Sequence, residues 1–171
     1  MISDKMRDAL NDQINAEMYS AYIYLAMSAY FEDINLPGAA NWMRIQQQEE
    51  LFHAMKFYNY VNERHARIEL KAIDCPPKDW KSPLDAFETA FAHEQMISGR
   101  INDLAVLASE EKDHSTLSFL KWFIDEQVEE ESSVDDIVQK VKLVGNEGTG
   151  MYMIDQELAA RVFTPPVDSA T

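Results

Sequence analysis

Cysteine occurs once in the 171 residues, glycine five times and proline six times. The single thiol, Cys75, cannot close an internal disulfide and fits a reducing cytosol. It lies in Cys75-Pro76-Pro77, a loop setting, and reads as structural or incidental. Most of the few glycines and prolines cluster between long uninterrupted stretches, which favours a few long helices over many short strands. Basic side chains are scarce too: 15 Lys and Arg against 30 Asp and Glu leave a net charge of −15. That balance repels nucleic acid and anionic membrane, so neither is an expected partner. No apolar run is long enough to span a bilayer. Met1-Ile2-Ser3-Asp4-Lys5 has no apolar core of a signal peptide, so a cytoplasmic location is expected.

What is present is an ordinary hydrophobic content of 46% in a chain of single-domain length, read as one domain over 1–171. Five helices are predicted. The first spans about Asp4 to Asp33, capped by Ser3 or Asp4, and the second runs from Pro37 to about Arg64. A long connection over 66–82 ends in Ser82-Pro83, a cap followed by a first-turn proline. The third helix then runs to about Lys112, and Asp113 caps a fourth that reaches about Val144. A short amphipathic helix over about Thr149 to Val162 presents Met151, Ile154, Leu158 and Val162 on one side, and Thr164-Pro165-Pro166 ends it. Two tight helix pairs joined by one long crossover make an all-α four-helix bundle, here with a short fifth helix.

Each long helix carries a seam at alternating three- and four-residue steps. These read Met6, Leu10, Gln13, Glu17, Ser20, Tyr24, Met27, Phe31; then Met43, Gln46, Glu50, His53, Phe57, Tyr60. The third is Leu84, Phe87, Phe91, Glu94, Ser98, Ile101, Ala105, Ala108. The fourth is Leu120, Phe123, Gln127, Glu130, Val134, Ile137, Val141, Val144. Every seam is broken near its middle by a carboxylate. At ~1.5 Å of rise per residue, all four breaks lie about 20–29 Å from their helix turns, so stacked hairpins bring them into one layer.

An internal repeat supports that alignment. Glu17 and Glu50 are 33 positions apart, as are Glu94 and Gln127. Glu49-Glu50-x-x-His53 in one half then corresponds to Glu126-Gln127-x-x-Glu130 in the other. A lone Glu-x-x-His is common by chance, and Glu111-x-x-His114 at a helix turn reads as a solvated example. Four acids in one layer, with no Lys or Arg among the neighbouring seam positions, are another matter. Desolvating each without a partner costs several kcal/mol, so they are either protonated or joined by a multivalent cation. The cation is the stronger reading. The oxygen-rich donor set with one imidazole suits iron or manganese better than zinc or calcium.

With Leu10-Asn11-Asp12-Gln13-Ile14-Asn15-Ala16-Glu17, Gln48-Glu49-Glu50-Leu51-Phe52-His53 and Glu126-Gln127-Val128-Glu129-Glu130-Glu131, the chain resembles the prokaryotic non-heme ferritins from Ser3 to Pro166. The resemblance implies a ferritin-like bundle that oxidises Fe2+ with dioxygen and stores it as ferric mineral inside a homo-oligomeric cage, a 24-mer. It implies that Glu17, Glu50 and His53 hold one iron and that Glu50, Glu94 and Glu130 hold the second. Gln127 matches the family's site glutamine. Glu49, Glu126 and Glu129 match a third iron position. Tyr24 matches a site tyrosine able to supply an electron, with a core tyrosine of satisfied hydroxyl as the alternative. No heme is expected.

Three relatives of that fold fit less well. Bacterioferritins place a heme-ligating Met after the site glutamate, where Leu51 stands, and a Glu-x-x-His where Gln127-x-x-Glu130 stands. Rubrerythrin-type peroxidases add a Cys-x-x-Cys domain that one cysteine cannot supply. The DNA-protecting mini-ferritins lack the fifth helix. A metal-free helical interaction module, from another class, leaves the buried acids unexplained. His65, His93 and Glu69 are expected at the surface.

Overall fold

The computed structural model describes residues 2–165; Met1 and residues 166–171, the last few of which the sequence leads one to expect to fray, lie outside the described residues. Helices α1 (Asp4–Asp33), α2 (Pro37–Glu63), α3 (Pro83–Glu110), α4 (His114–Val144) and α5 (Gly148–Leu158) form the all-α architecture, with no strand among the described residues. The start signals act as read. Ser3 Oγ accepts from the Met6 amide at 3.0 Å, Ser82 Oγ from Asp85 at 3.1 Å, and Asp113 Oδ1 from Thr116 at 3.1 Å. The ends of α1, α2 and α3 share a device. Asn35, His65 and Lys112 turn left-handed, at φ 59°, 55° and 57°. The next amide then reaches back into the helix, Leu36 to Phe31 O at 2.9 Å, Ala66 to Val61 O at 3.1 Å, Asp113 to Ala108 O at 2.8 Å.

α1 pairs with α2 and α3 with α4, and the two hairpins meet as α1 packs on α3. Across α2 and α4, Phe57 stacks on Phe123 at 4.1 Å and Tyr60 on Phe119 at 3.8 Å. The crossover runs the length of the bundle. At its start Asn11 ties it down, donating to Arg67 O and accepting from the Glu69 amide, both at 3.0 Å. At its end Trp80 packs edge-on to Tyr30, 5.4 Å between ring centres. α3 therefore starts beside the end of α1, where the rings of Phe31 and Phe87 lie 5.2 Å apart.

Every seam residue expected in α1 and α2 is buried. α3 departs from expectation: Leu84, Phe91, Ser98 and Ala105 are only partly buried, whereas Ala90, His93, Ile97 and Leu104 are buried. A strict heptad stripe follows one partner, but α3 packs against both α1 and α4 and buries a wider arc. In α4, Val144 is 40% exposed beside the glycine that stops the helix, and the other seam residues are buried. The apolar core splits into two clusters. One gathers Tyr24, Phe31, Trp42, Phe87 and the buried face of α5; the other gathers Met6, Leu10, Phe57, Ile101 and Phe123. The polar breaks in the seams lie between them.

α5 is shorter than its periodicity suggests, ending at Leu158 and leaving Val162 74% exposed. Asn41 draws the chain off the helical path by donating to the carbonyls of Leu158, Ala159 and Arg161, the last at 3.0 Å. Asp155 Oδ1 accepts from the Ala39 amide at 2.9 Å, satisfying an open donor in the first turn of α2. The close approach requires Gly38, where an added Cβ would sit 1.7 Å from Asp155 O. Gly38→Ala is therefore expected to push α5 off α2 at a cost of about 1–3 kcal/mol. The check is a lower thermal midpoint together with faster proteolysis within α5 than in the wild type.

Candidate metal centre

The middle turns of four helices bring Glu17, Glu50, His53, Glu94, Gln127 and Glu130 together, and all six are at most 5% exposed. One ligand atom each from Glu17, Glu50 and His53 lies within 4.8 Å of the other two, and His53, Glu126 and Glu130 form a second such group. The two groups share His53. Its Nδ1 lies 3.5 Å from Glu50 Oε2, and its ring is held edge-on by Trp122 and Phe123 at 5.5 and 5.9 Å.

Amides orient the acids. Gln13 Nε2 donates to Glu17 Oε1 at 2.8 Å, and Gln46 Nε2 to Glu130 Oε2 at 2.7 Å. Gln127 Nε2 donates to Glu94 Oε2 at 3.1 Å, while the Tyr24 hydroxyl donates to Glu94 Oε1. After these bonds, Glu17 Oε2, Glu50 Oε2 and His53 Nε2 are buried with no hydrogen-bond partner. Orphaned buried acceptors are costly, and here they converge on one layer.

The electrostatics follow from that burial. Desolvation, then the charges of Glu94, Glu17 and Glu130, push the Glu50 carboxyl well above the usual carboxylate range. Burial raises Glu94 to about 7, against the hydrogen bonds from Tyr24 and Gln127. Burial and the Glu94 charge raise Glu130 to about 8. The Tyr24 phenol is raised by burial and then by Glu94. Without a cation, burial favours the protonated forms of Glu50, Glu94 and Glu130; with one, the layer offers hard oxygen donors and one imidazole, a set suited to iron or manganese.

Glu49 and Glu126 lie beside the layer, each raised first by burial, while Glu129 is exposed. Glu111 and His114 are exposed, as are His65 and Glu69. His93 is a correction. It is 8% exposed, its Nε2 lies 2.8 Å from Ser20 Oγ, and burial lowers it to about 4. The turn that aims Glu94 inward also turns its neighbour against α1.

Several positions at the site escaped the sequence reading. Gln13 and Gln46 stood in the seams as polar breaks, which was their signal. Arg161 gave none: it follows α5 and places Nη2 2.7 Å from Glu49 Oε2. The acid layer is thus not free of cationic neighbours at its edge.

A family model described as a ferritin-like domain matches residues 7–144. The chain belongs to the ferritin family. Among ferritins it is 40% identical over 163 residues to the bacterial non-heme ferritin of Staphylococcus aureus strain USA300, covering 95% of this chain and 98% of that one. Its structure is similar to that of an open-pore ferritin from the archaeon Archaeoglobus fulgidus, with a TM-score of 0.94 and 51% identity over 95% of this chain and 100% of that chain. A humanized archaeal ferritin matches with a TM-score of 0.95 and 52% identity, over 96% and 100% of the two chains. No described helix is long and apolar enough to cross a membrane.

Proposed function

We propose that this ferritin stores iron, oxidising Fe2+ to Fe3+ with dioxygen at the buried acid layer and keeping the product as ferric oxyhydroxide within a homo-oligomeric cage, a cytoplasmic 24-mer of single-domain subunits. One observation carries the reading: unpartnered, buried donor atoms of Glu17, Glu50 and His53 converge in a layer of four carboxylates. Iron is the substrate, losing electrons to dioxygen. Glu17, Glu50 and His53 would hold one ion, Glu50, Glu94 and Glu130 the other, with Glu50 between them.

The chain's own groups do the rest. Gln13, Gln46 and Gln127 hold Glu17, Glu130 and Glu94 in orientation, so little ordering is left when ions arrive. The raised carboxyls release protons as cations replace them. Tyr24, bonded to Glu94, stands where it can supply an electron or steady that carboxylate. The acid excess of the chain favours cation uptake.

Aerobic loading of the metal-free protein tests storage. Iron retained far beyond about two ions per subunit, as an electron-dense core inside the particles, is the expected result. Iron that precipitates outside the protein would overturn storage while leaving oxidation to be judged by the variants below.

A further inference from the structure

Arg161 makes an unusual set of contacts for a side chain past the last helix. Its Nη2 donates to Glu49 Oε2 at 2.7 Å, and its guanidinium lies 4.6 Å over the ring of Trp42. Asn41 clamps its backbone by donating to Arg161 O at 3.0 Å. Three independent contacts therefore fix one cationic group on one carboxylate. Nη1 is buried without a hydrogen-bond partner, so the guanidinium is held by this placement rather than by full satisfaction of its donors.

The carboxylate it holds matters for the neighbouring layer. Glu49 precedes Glu50, and its charge bears on Glu130. Glu126 and Glu129 act on Glu49 in the same repulsive sense, and Arg161 opposes them. Across the same edge, His53 is 2% exposed and its Nε2 has no partner, while Glu126 and Glu130 come within 4.8 Å of the ring nitrogen that His53 offers. The edge of the centre thus gathers acids beyond the inner residues, and Arg161 already engages one of them, Glu49.

We propose that Arg161 sets the affinity of this outer position: its guanidinium stands in for a metal ion at Glu49, and a divalent cation that takes Glu49 must displace it. The inference rests on the metal-binding reading above. It assigns to the segment after α5 the job of keeping the outer position weaker than the two inner ones, so that an ion there is held loosely and passes on. Two physical effects act in the same direction. The guanidinium engages an oxygen the ion needs, and its charge repels a dication. Displacing it also uncovers Trp42 and leaves a partly buried guanidinium without its carboxylate, which loosens the chain from Ala159 onward.

The test uses the whole metal-free protein with Zn2+ as a redox-inert probe, titrated by calorimetry, in the wild type, Arg161→Gln and Arg161→Lys. About two tight ions per subunit are expected in all three. The weaker event that follows is expected to tighten about tenfold in Arg161→Gln, the size of effect typical for groups that hold metal ligands, and to stay near wild type in Arg161→Lys. Hydrogen exchange supplies a second readout: amides of 159–164 in the wild type are expected to exchange faster only after the tight ions are bound. An outer event unchanged in Arg161→Gln, or tightened equally in Arg161→Lys, overturns the proposal alone. Absence of the tight ions from every protein overturns the proposed function and this inference with it.

Discussion

Glu50→Ala/Glu94→Ala is expected to abolish rapid oxidation of Fe2+ in air while leaving the bundle folded. Substituting only the outer hydrogen-bond partners of a metal site costs about 10–100-fold in affinity or activity. Here two of the proposed ligands are removed, one of them the carboxylate proposed to serve both ions, so the loss should exceed that range. Folding should survive because the metal-free layer already strains the core. Burial drives both carboxyls upward, so deleting them removes desolvated acids, which offsets the hydrogen bonds that Glu94 accepts from Tyr24 and Gln127. The measurement is the optical signature of ferric product after mixing metal-free protein with Fe2+, beside circular dichroism of each variant. A double variant as fast as the wild type would sink the di-iron reading. One slow and unfolded would be replaced by Glu50→Gln/Glu94→Gln, which keeps the shape of both side chains.

The second large effect is a pH dependence that runs opposite to ordinary acid denaturation. Glu94 titrates at about 7 and Glu130 at about 8 in the folded, metal-free protein, against an ordinary value of 4.5 for each. Between those limits these carboxyls hold more protons in the native chain than in the unfolded one, so their contribution to stability falls with every step up in pH, and His93, lowered to about 4 by burial, offsets part of it below 6.5. The loss begins as pH rises past about 4.5 and is complete once it passes about 8. Metal-free protein should therefore melt several degrees lower at the alkaline end of this window than at the acid end. A divalent cation should close the gap, because it satisfies the carboxylates that deprotonation leaves facing each other. Calorimetric melts with and without Zn2+ measure both quantities. Zn2+ binding in weak buffer should also release protons at the lower pH, and fewer as pH approaches 8. A metal-free protein that grows more stable across this window would show that the acids are already paired by something other than protons.

Gln46 illustrates how far sequence reasoning reaches at the centre. Its place in a buried seam, one turn before Glu50, was legible, since a polar residue in an apolar stripe asks for a partner. That its amide would cross to Glu130 on α4 at 2.7 Å was not, because the stripe fixes which face is buried and leaves open which helix receives it. Ser20 and His93 repeat the lesson across α1 and α3, where a side chain expected at the surface is shut in by the neighbouring helix.

The sequence by itself determined the helices, their caps and turns, the long crossover and the layer in which four carboxylates meet. These are local or periodic properties. Capping side chains and the heptad-like seams are written within a few residues of where they act, and a fixed rise per residue turns spacing into height. Only the tertiary structure decided the breadth of the buried arc on α3, the early end of α5 and the arrival of Arg161 on Glu49. Each depends on contacts between segments far apart in the chain: Ser20 with His93 for the arc on α3, Asn41 with Arg161 O for the end of α5, Arg161 with Trp42 for its arrival on Glu49. No period in the sequence encodes a tail that leaves its helix, and its place follows from packing alone.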